Sequence, residues 1–163
     1  MKPPLERIAP AKPPAPSPLA QASAEQAQQP PPSYRFFRPL VLNAGVLVAE
    51  GRSITLAGVV PVPATQLCTG ADGTSWPCGM VARTALRALV RGRAVTCQMD
   101  DQTKNNLTTQ CSVAGRDIAE WLVEQGWAEA EPGSTLARLS DAAKAMGRGI
   151  HGRPNQLGPA AGP

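Results

Sequence analysis

The chain has 163 residues, a formal net charge of +4, 42% hydrophobic residues and only 4% aromatic ones. That length leaves room for one domain, and its core must rest on Val, Leu, Ala and three tryptophans. The mild positive excess permits attraction to anionic polymers without requiring it, and no apolar run reaches the length of a membrane helix.

Residues 1–33 are dominated by Pro, Ala, Gln and Ser, with Pro13-Pro14 and the triplet Pro30-Pro31-Pro32. Such a segment has too few apolar side chains to fold and is expected to be a disordered or partly polyproline II tail or linker. The stretch MKPPLERIAP lacks the apolar centre of an export signal, so a targeting segment or anchor is expected to have been removed upstream.

From Tyr34 the texture changes. Tyr34 to Leu42, Val46-Leu47-Val48 and Ile54-Thr55-Leu56 are short β-prone runs punctuated by Gly45, Gly51 and Gly58, which predicts a strand meander. After a Pro- and Gly-containing loop through Pro77, the apolar spacing between Gly79 and Val90 predicts an amphipathic helix ended by Gly92. Arg93 to Gln98 and Leu107 to Val113 read as a hairpin around the loop Met99 to Asn106. Helical spacing returns at Ile118, Trp121, Leu122 and Gln125, closed by Gly126. A last helix is expected from Ser134, as N-cap, to Gly147. The end after Ile150 should fray, leaving a domain over 34–152 and a flexible tail over 153–163.

Four cysteines, Cys68, Cys78, Cys97 and Cys111, allow two disulfides or one metal site. No C-x-x-C pair occurs and the single histidine, His151, is distant in sequence, which favours disulfides over zinc. A hairpin centred near Lys104 sets Cys97 opposite Cys111, where paired Cβ atoms approach closely enough to be bridged. Cys68 is then left for Cys78. Disulfides imply an oxidising compartment, periplasmic or extracellular.

The order of these elements is that of an OB-type five-stranded barrel carrying about three helices, an α+β fold. Ile54-Thr55-Leu56-Ala57-Gly58, then Gln66-Leu67-Cys68 and Trp76-Pro77-Cys78-Gly79, resemble the thermonuclease (staphylococcal-nuclease-like) family in its bacterial extracytoplasmic form. So do Cys111-Ser112-Val113-Ala114-Gly115-Arg116-Asp117-Ile118, Trp121-Leu122-Val123-Glu124-Gln125-Gly126-Trp127-Ala128 and Gly147-Arg148-Gly149-Ile150, over a span from Asn43 to Gly152. The resemblance implies calcium held by carboxylates beside a phosphodiester, with two arginines neutralising the transition state. The family's D-G-D-T falls on Asn43-Ala44-Gly45-Val46, so its metal-binding aspartate becomes Gly45. Its arginine in I-R-L-A-G becomes Thr55, its D-A-P-E becomes Val60-Pro61-Val62-Pro63, and its second arginine falls on Asn106.

None of Gly45, Thr55, Val60, Pro63 and Asn106 carries charge or binds a hard cation well. The expectation is a non-catalytic, nuclease-like binding or assembly module of the cell envelope, with no cofactor or metal. The alternatives are a calcium-dependent nuclease whose site is rebuilt from Glu50, Asp100 and Asp101, and a structural subunit that adds an edge strand through Tyr34-Arg35-Phe36-Phe37-Arg38. Arg83, Arg87 and Arg91, spaced by four on the predicted helix, with Arg93 beyond, suggest an anion-facing stripe for nucleic acid, an acidic polysaccharide or an acidic envelope partner. Solvated charge is the plainer reading of them. Trp121 and Trp127 read as core rather than stacking platforms. Asn106-Leu107-Thr108 matches a glycosylation pattern by chance, and His151 is a remote candidate for nucleophilic chemistry.

Overall fold

Two units divide the chain, Met1–Pro30 and Pro31–Pro163, and the computed structural model describes residues 10–28, 30–99 and 101–152. The first unit departs from the expected tail: helix α1 spans Pro18–Gln28. Pro18 sits at its start, where a missing N–H costs nothing, and no proline follows within the Ala- and Gln-rich run. The Ser17 hydroxyl accepts a hydrogen bond from the Ala20 N–H at 3.3 Å. The end expected to be flexible, 153–163, lies outside the described residues.

In the second unit the predicted meander forms as β1 (Ser33–Phe37), β2 (Leu40–Asn43), β3 (Val46–Ala49) and β4 (Arg52–Leu56). Phe36 points inward and Phe37 outward, as period two requires. Arg38, at φ 51°, then breaks the run beside Pro39, and the chain resumes with Val41 inward. Short strands β5 (Val59–Val60), β6 (Cys68–Thr69) and β7 (Ser75–Trp76) follow.

Helix α2 covers Cys78–Val90 and buries Ala82, Leu86 and Val90, one stripe at intervals of four. Its start has no side-chain cap; the Gly79 N–H donates instead to the Gln66 carbonyl. Beyond it lie β8 (Ala94–Gln98), β9 (Asn106–Thr109), β10 (Cys111–Val113) and β11 (Arg116–Asp117).

Helix α3 (Ile118–Glu124) is capped by the Asp117 carboxylate, which accepts from the Glu120 N–H at 2.8 Å. It stops in a left-handed turn at Gly126, where Gly126 N–H donates to Val123 and Trp127 N–H to Leu122. After β12 (Glu129–Ala130), α4 (Ala137–Ala145) ends the same way at Gly147. Ser134 is not its N-cap: the cap position is Leu136, and Ser134 Oγ accepts from the Leu136 N–H in the turn before it. The chain after Ile150 does not fray at once, because Gly149–His151 form a 3-10 turn in which Ile150 N–H donates to the Gly126 carbonyl.

The molecule is therefore a mixed α+β protein with sheets ordered β1-β8-β10-β11 and β2-β3-β4-β9 and two smaller pairs, β5 with β12 and β6 with β7. The predicted hairpin is corrected in one respect. Only β10 pairs with β8, whereas Asn106 to Thr109 run parallel to β4. The second strand thus serves both large sheets, changing partner at Gln110. Phe36, Leu47, Ile54 and Leu56 from the strands meet Leu86 of α2 and Ile118 and Leu122 of α3 in one core. No described helix is long and apolar enough to cross a membrane.

Candidate functional site

Gly45 lies in the two-residue turn between β2 and β3 at φ 127°, where few residues other than glycine are tolerated. Its carbonyl accepts from the Leu56 N–H at 2.9 Å, and Val62 N–H donates to the Ala44 carbonyl at 2.9 Å. These bonds fold the segment 59–63 back onto the turn. A Cβ at position 45 would stand 2.9 Å from the Pro61 Cα, so the ring of Pro61 fills the space any side chain there would need.

Thr55 is half-buried between Val46 and Thr108 in the sheet, and Asn106 lies exposed opposite Ser53, two positions along β9 from Thr108. Val60 is 45% exposed opposite Glu129, and Pro63 is exposed with its carbonyl accepting from the Gln66 N–H. Gly45, Thr55 and the 60–63 segment are therefore brought to one end of the sheet. Asn106 stands further along its parallel edge. Glu129 carries the charge opposite Val60, where it pairs with Lys144 at 3.4 Å. Asn43 Oδ1 is buried beside the turn and accepts no protein hydrogen bond.

Of the acids considered for a rebuilt site, Glu50 and Asp101 lie elsewhere. Glu50 occupies the turn between β3 and β4, at the opposite end of those strands from Gly45, and accepts from Tyr34 Oη at 3.3 Å and Arg52 at 3.5 Å. Arg52 also donates to the Gln102 carbonyl at 2.7 Å, which holds the 101–104 loop beside it. Within that loop the Thr103 hydroxyl, foremost, and the Thr103 N–H bond the Asp101 carboxyl and hold it below the usual carboxylate range. Asp100 lies outside the described residues. No group of three or more His, Cys, Asp or Glu side chains is placed to hold a metal among the described residues.

The arginine stripe is not as the spacing predicted. Arg83 is half-buried and its Nε donates to the Val41 carbonyl at 3.1 Å, closing the edge of β2. Helix α2 ends at Val90, so Arg91 leaves the helical face. Arg87, Arg91 and Arg93 remain exposed, Arg93 with one donor on the Leu89 carbonyl at 3.2 Å. Sequence periodicity also missed two neighbours: Phe37 pairs with Ala94, which sets Arg38 next to Arg93 across the strands.

The second feature missed is a cleft of about 510 Å³ lined by Ala57, Gly58, Gln110, Asp117, Glu120 and Glu131, among others. It arises where the Glu131 N–H donates back to the Gly58 carbonyl, a closure with no local sequence signal. Trp121 and Trp127 are partly buried against the core, as expected of structural tryptophans.

Both disulfides form as expected, Cys68 with Cys78 and Cys97 with Cys111, leaving no free thiol for chemistry with His151. Burial of the His151 ring holds its pKa below the usual histidine range, against the pull of Glu129 and with a smaller push from Lys144. Its Nε2 is buried without a partner. A depressed folded pKa means that the neutral ring's contribution is complete above the unfolded value of about 6.5 and is lost as pH falls below it. Acidification from pH 7.5 to 5 should accordingly lower the melting temperature, and His151→Gln should make that decline shallower; equal slopes would show that the ring does not govern this range. Compared with known proteins, the chain matches no family model and no curated protein.

Proposed function

We propose that the chain is a non-catalytic, nuclease-like binding or assembly module of the cell envelope, built on a partly open five-stranded barrel of the OB type. What supports the barrel is the pairing of successive strands. The β1–β2 run pairs with β8 through its first half and with β3 through its second; β3 pairs with β4, β4 with β9, and β10 with β8. With β9 and β10 taken as one run interrupted at Gln110, these pairings support such a barrel. Support for an oxidising compartment comes from two disulfides, one of them with both cysteines buried.

The observation that carries the functional reading is the packing of Pro61 against Gly45. Hard cations require several oxygen ligands at fixed distance. At this end of the sheet the positions where the resemblance implies carboxylates hold Gly45, Val60 and Pro63 and one implying an arginine holds Thr55, while the second such position, further along the sheet, holds Asn106. Loss of one transition-state donor typically costs about 10²- to 10³-fold in rate, so loss of metal and both arginines leaves no useful hydrolysis.

Purified oxidised protein is expected to cleave neither DNA nor RNA at any calcium concentration. Calcium should leave its melting temperature unchanged. Cleavage abolished by Asp100→Asn or Asp101→Asn would establish the rebuilt calcium site instead.

A further inference from the structure

The outward face of β1 and the start of β8, its paired neighbour, bring together charges that are scattered in the sequence. Arg35 and Phe37 project outward from β1, the Arg35 guanidinium 5.7 Å from the Phe37 ring centre. Phe37 pairs with Ala94, so Arg38, immediately after Phe37, and Arg93, immediately before Ala94, are neighbours, with Arg91 two residues further back. All four arginines are exposed, and none forms an ion pair among the described residues. Like charges so grouped repel unless an anion lies against them.

Exposed apolar side chains continue along the same run of chain into β2. Phe37 is 72% exposed, Leu40 55% and Leu42 50%, within a six-residue stretch of the chain. A soluble polyanion gains nothing from leucine side chains. A lipid bilayer does, because apolar tips enter the acyl boundary while guanidiniums meet headgroup phosphates. The cleft beside Gly58 lies elsewhere, bordered by β11 at the other edge of the sheet that holds β1 and lined with Asp117, Glu120 and Glu131 among others. This separation of charge orients the basic face toward a negative surface.

We propose that the outward face of the β1–β2 run, with Arg35, Arg38, Arg91 and Arg93 around Phe37, Leu40 and Leu42, is a docking surface for an anionic lipid bilayer. This deepens the binding-module reading by naming its partner, and the two fail separately. Nuclease activity would remove that reading without touching lipid binding, and absence of lipid binding would not restore a nuclease.

The test is co-sedimentation of the full oxidised chain with vesicles of phosphatidylcholine and phosphatidylglycerol, with pure phosphatidylcholine vesicles, and retention on single-stranded DNA. Binding to the anionic vesicles alone is expected, weakening as salt rises. Each guanidinium near an anionic surface contributes on the order of fivefold, so Arg35→Gln with Arg38→Gln and Arg91→Gln should weaken partitioning about 100-fold. Phe37→Ser with Leu40→Ser should weaken it about 10-fold or more without changing any DNA retention. Arg91→Glu alone, outside the helix and exposed, provides a variant with little risk to folding. No pelleting, equal pelleting on neutral vesicles, or pelleting that the variants leave intact would overturn the proposal. Loss in the arginine variants alone, with the Phe37 and Leu40 variant unaffected, would also overturn it and identify a site for soluble polyanions.

Discussion

Gly126→Ala should destabilise the domain by about 3 kcal/mol or more and lower its melting temperature by roughly 10 °C. Gly126 closes α3 at φ 76°, where a side chain costs about 1–2 kcal/mol from backbone crowding alone. Its missing Cβ faces the Arg148 carbonyl, and Gly149 lies in turn against the Gly126 carbonyl. The two glycines let the chain after α4 cross the end of α3, where Ile150 N–H donates to Gly126 at 2.8 Å. A β-carbon would push these backbones apart, and Ile150, partly buried on the core, would move with them. Gly51→Ala separates the two effects: it has a similar φ of 75° with open space around it, so only the conformational cost should appear. Equal melting temperatures for the two variants would show that the crossing contributes nothing.

Loss of the Cys97–Cys111 bridge should rank next. With a sequence separation of 14, the chain-entropy model gives about 3 kcal/mol, and replacement by alanines also removes buried sulfur from the core. Cys97 and Cys111 are 0% and 2% exposed, whereas Cys68 is half-buried at the base of a loop whose residues 71–75 are exposed. Mild reductant should therefore open Cys68–Cys78 first and leave the hairpin bridge until the domain unfolds. Mass mapping of alkylated peptides checks the order. Early alkylation of Cys97 would contradict the burial argument, and an unchanged melting temperature in the Cys97→Ala, Cys111→Ala variant would contradict the energetic one.

The hairpin bridge was legible because antiparallel pairing makes register arithmetic: a loop centred near Lys104 leaves one pairing for each residue. In the structure Cys97 and Cys111 face each other with Cα atoms 4.0 Å apart. Helix ends at Gly126 and Gly147 were legible for a similar reason, since a left-handed stop needs glycine at a fixed offset.

The arginines were misread because a four-residue spacing carries meaning only while the helix continues. Helix α2 stops at Val90, and Arg83 answers an open strand edge that its own segment gives no sign of. Arg35 and Arg38 join Arg93 through pairing between strands far apart in sequence, which periodicity does not see. The cleft beside Gly58 is non-local in the same way. Helix α1 is a different case: its proline-free Ala and Gln run was visible, but the composition of the surrounding residues hid it.

If Pro61, packed against the Gly45 turn, leaves no room for a hard cation there, titrating manganese into the oxidised protein while recording paramagnetic broadening of backbone amide signals will reveal it. Manganese takes the same oxygen ligands as other hard divalent cations. No selective broadening is expected at Gly45, Thr55 or Val60 at metal concentrations well above that of the protein. Selective, saturable broadening of those amides would contradict it and place a metal site at this end of the sheet.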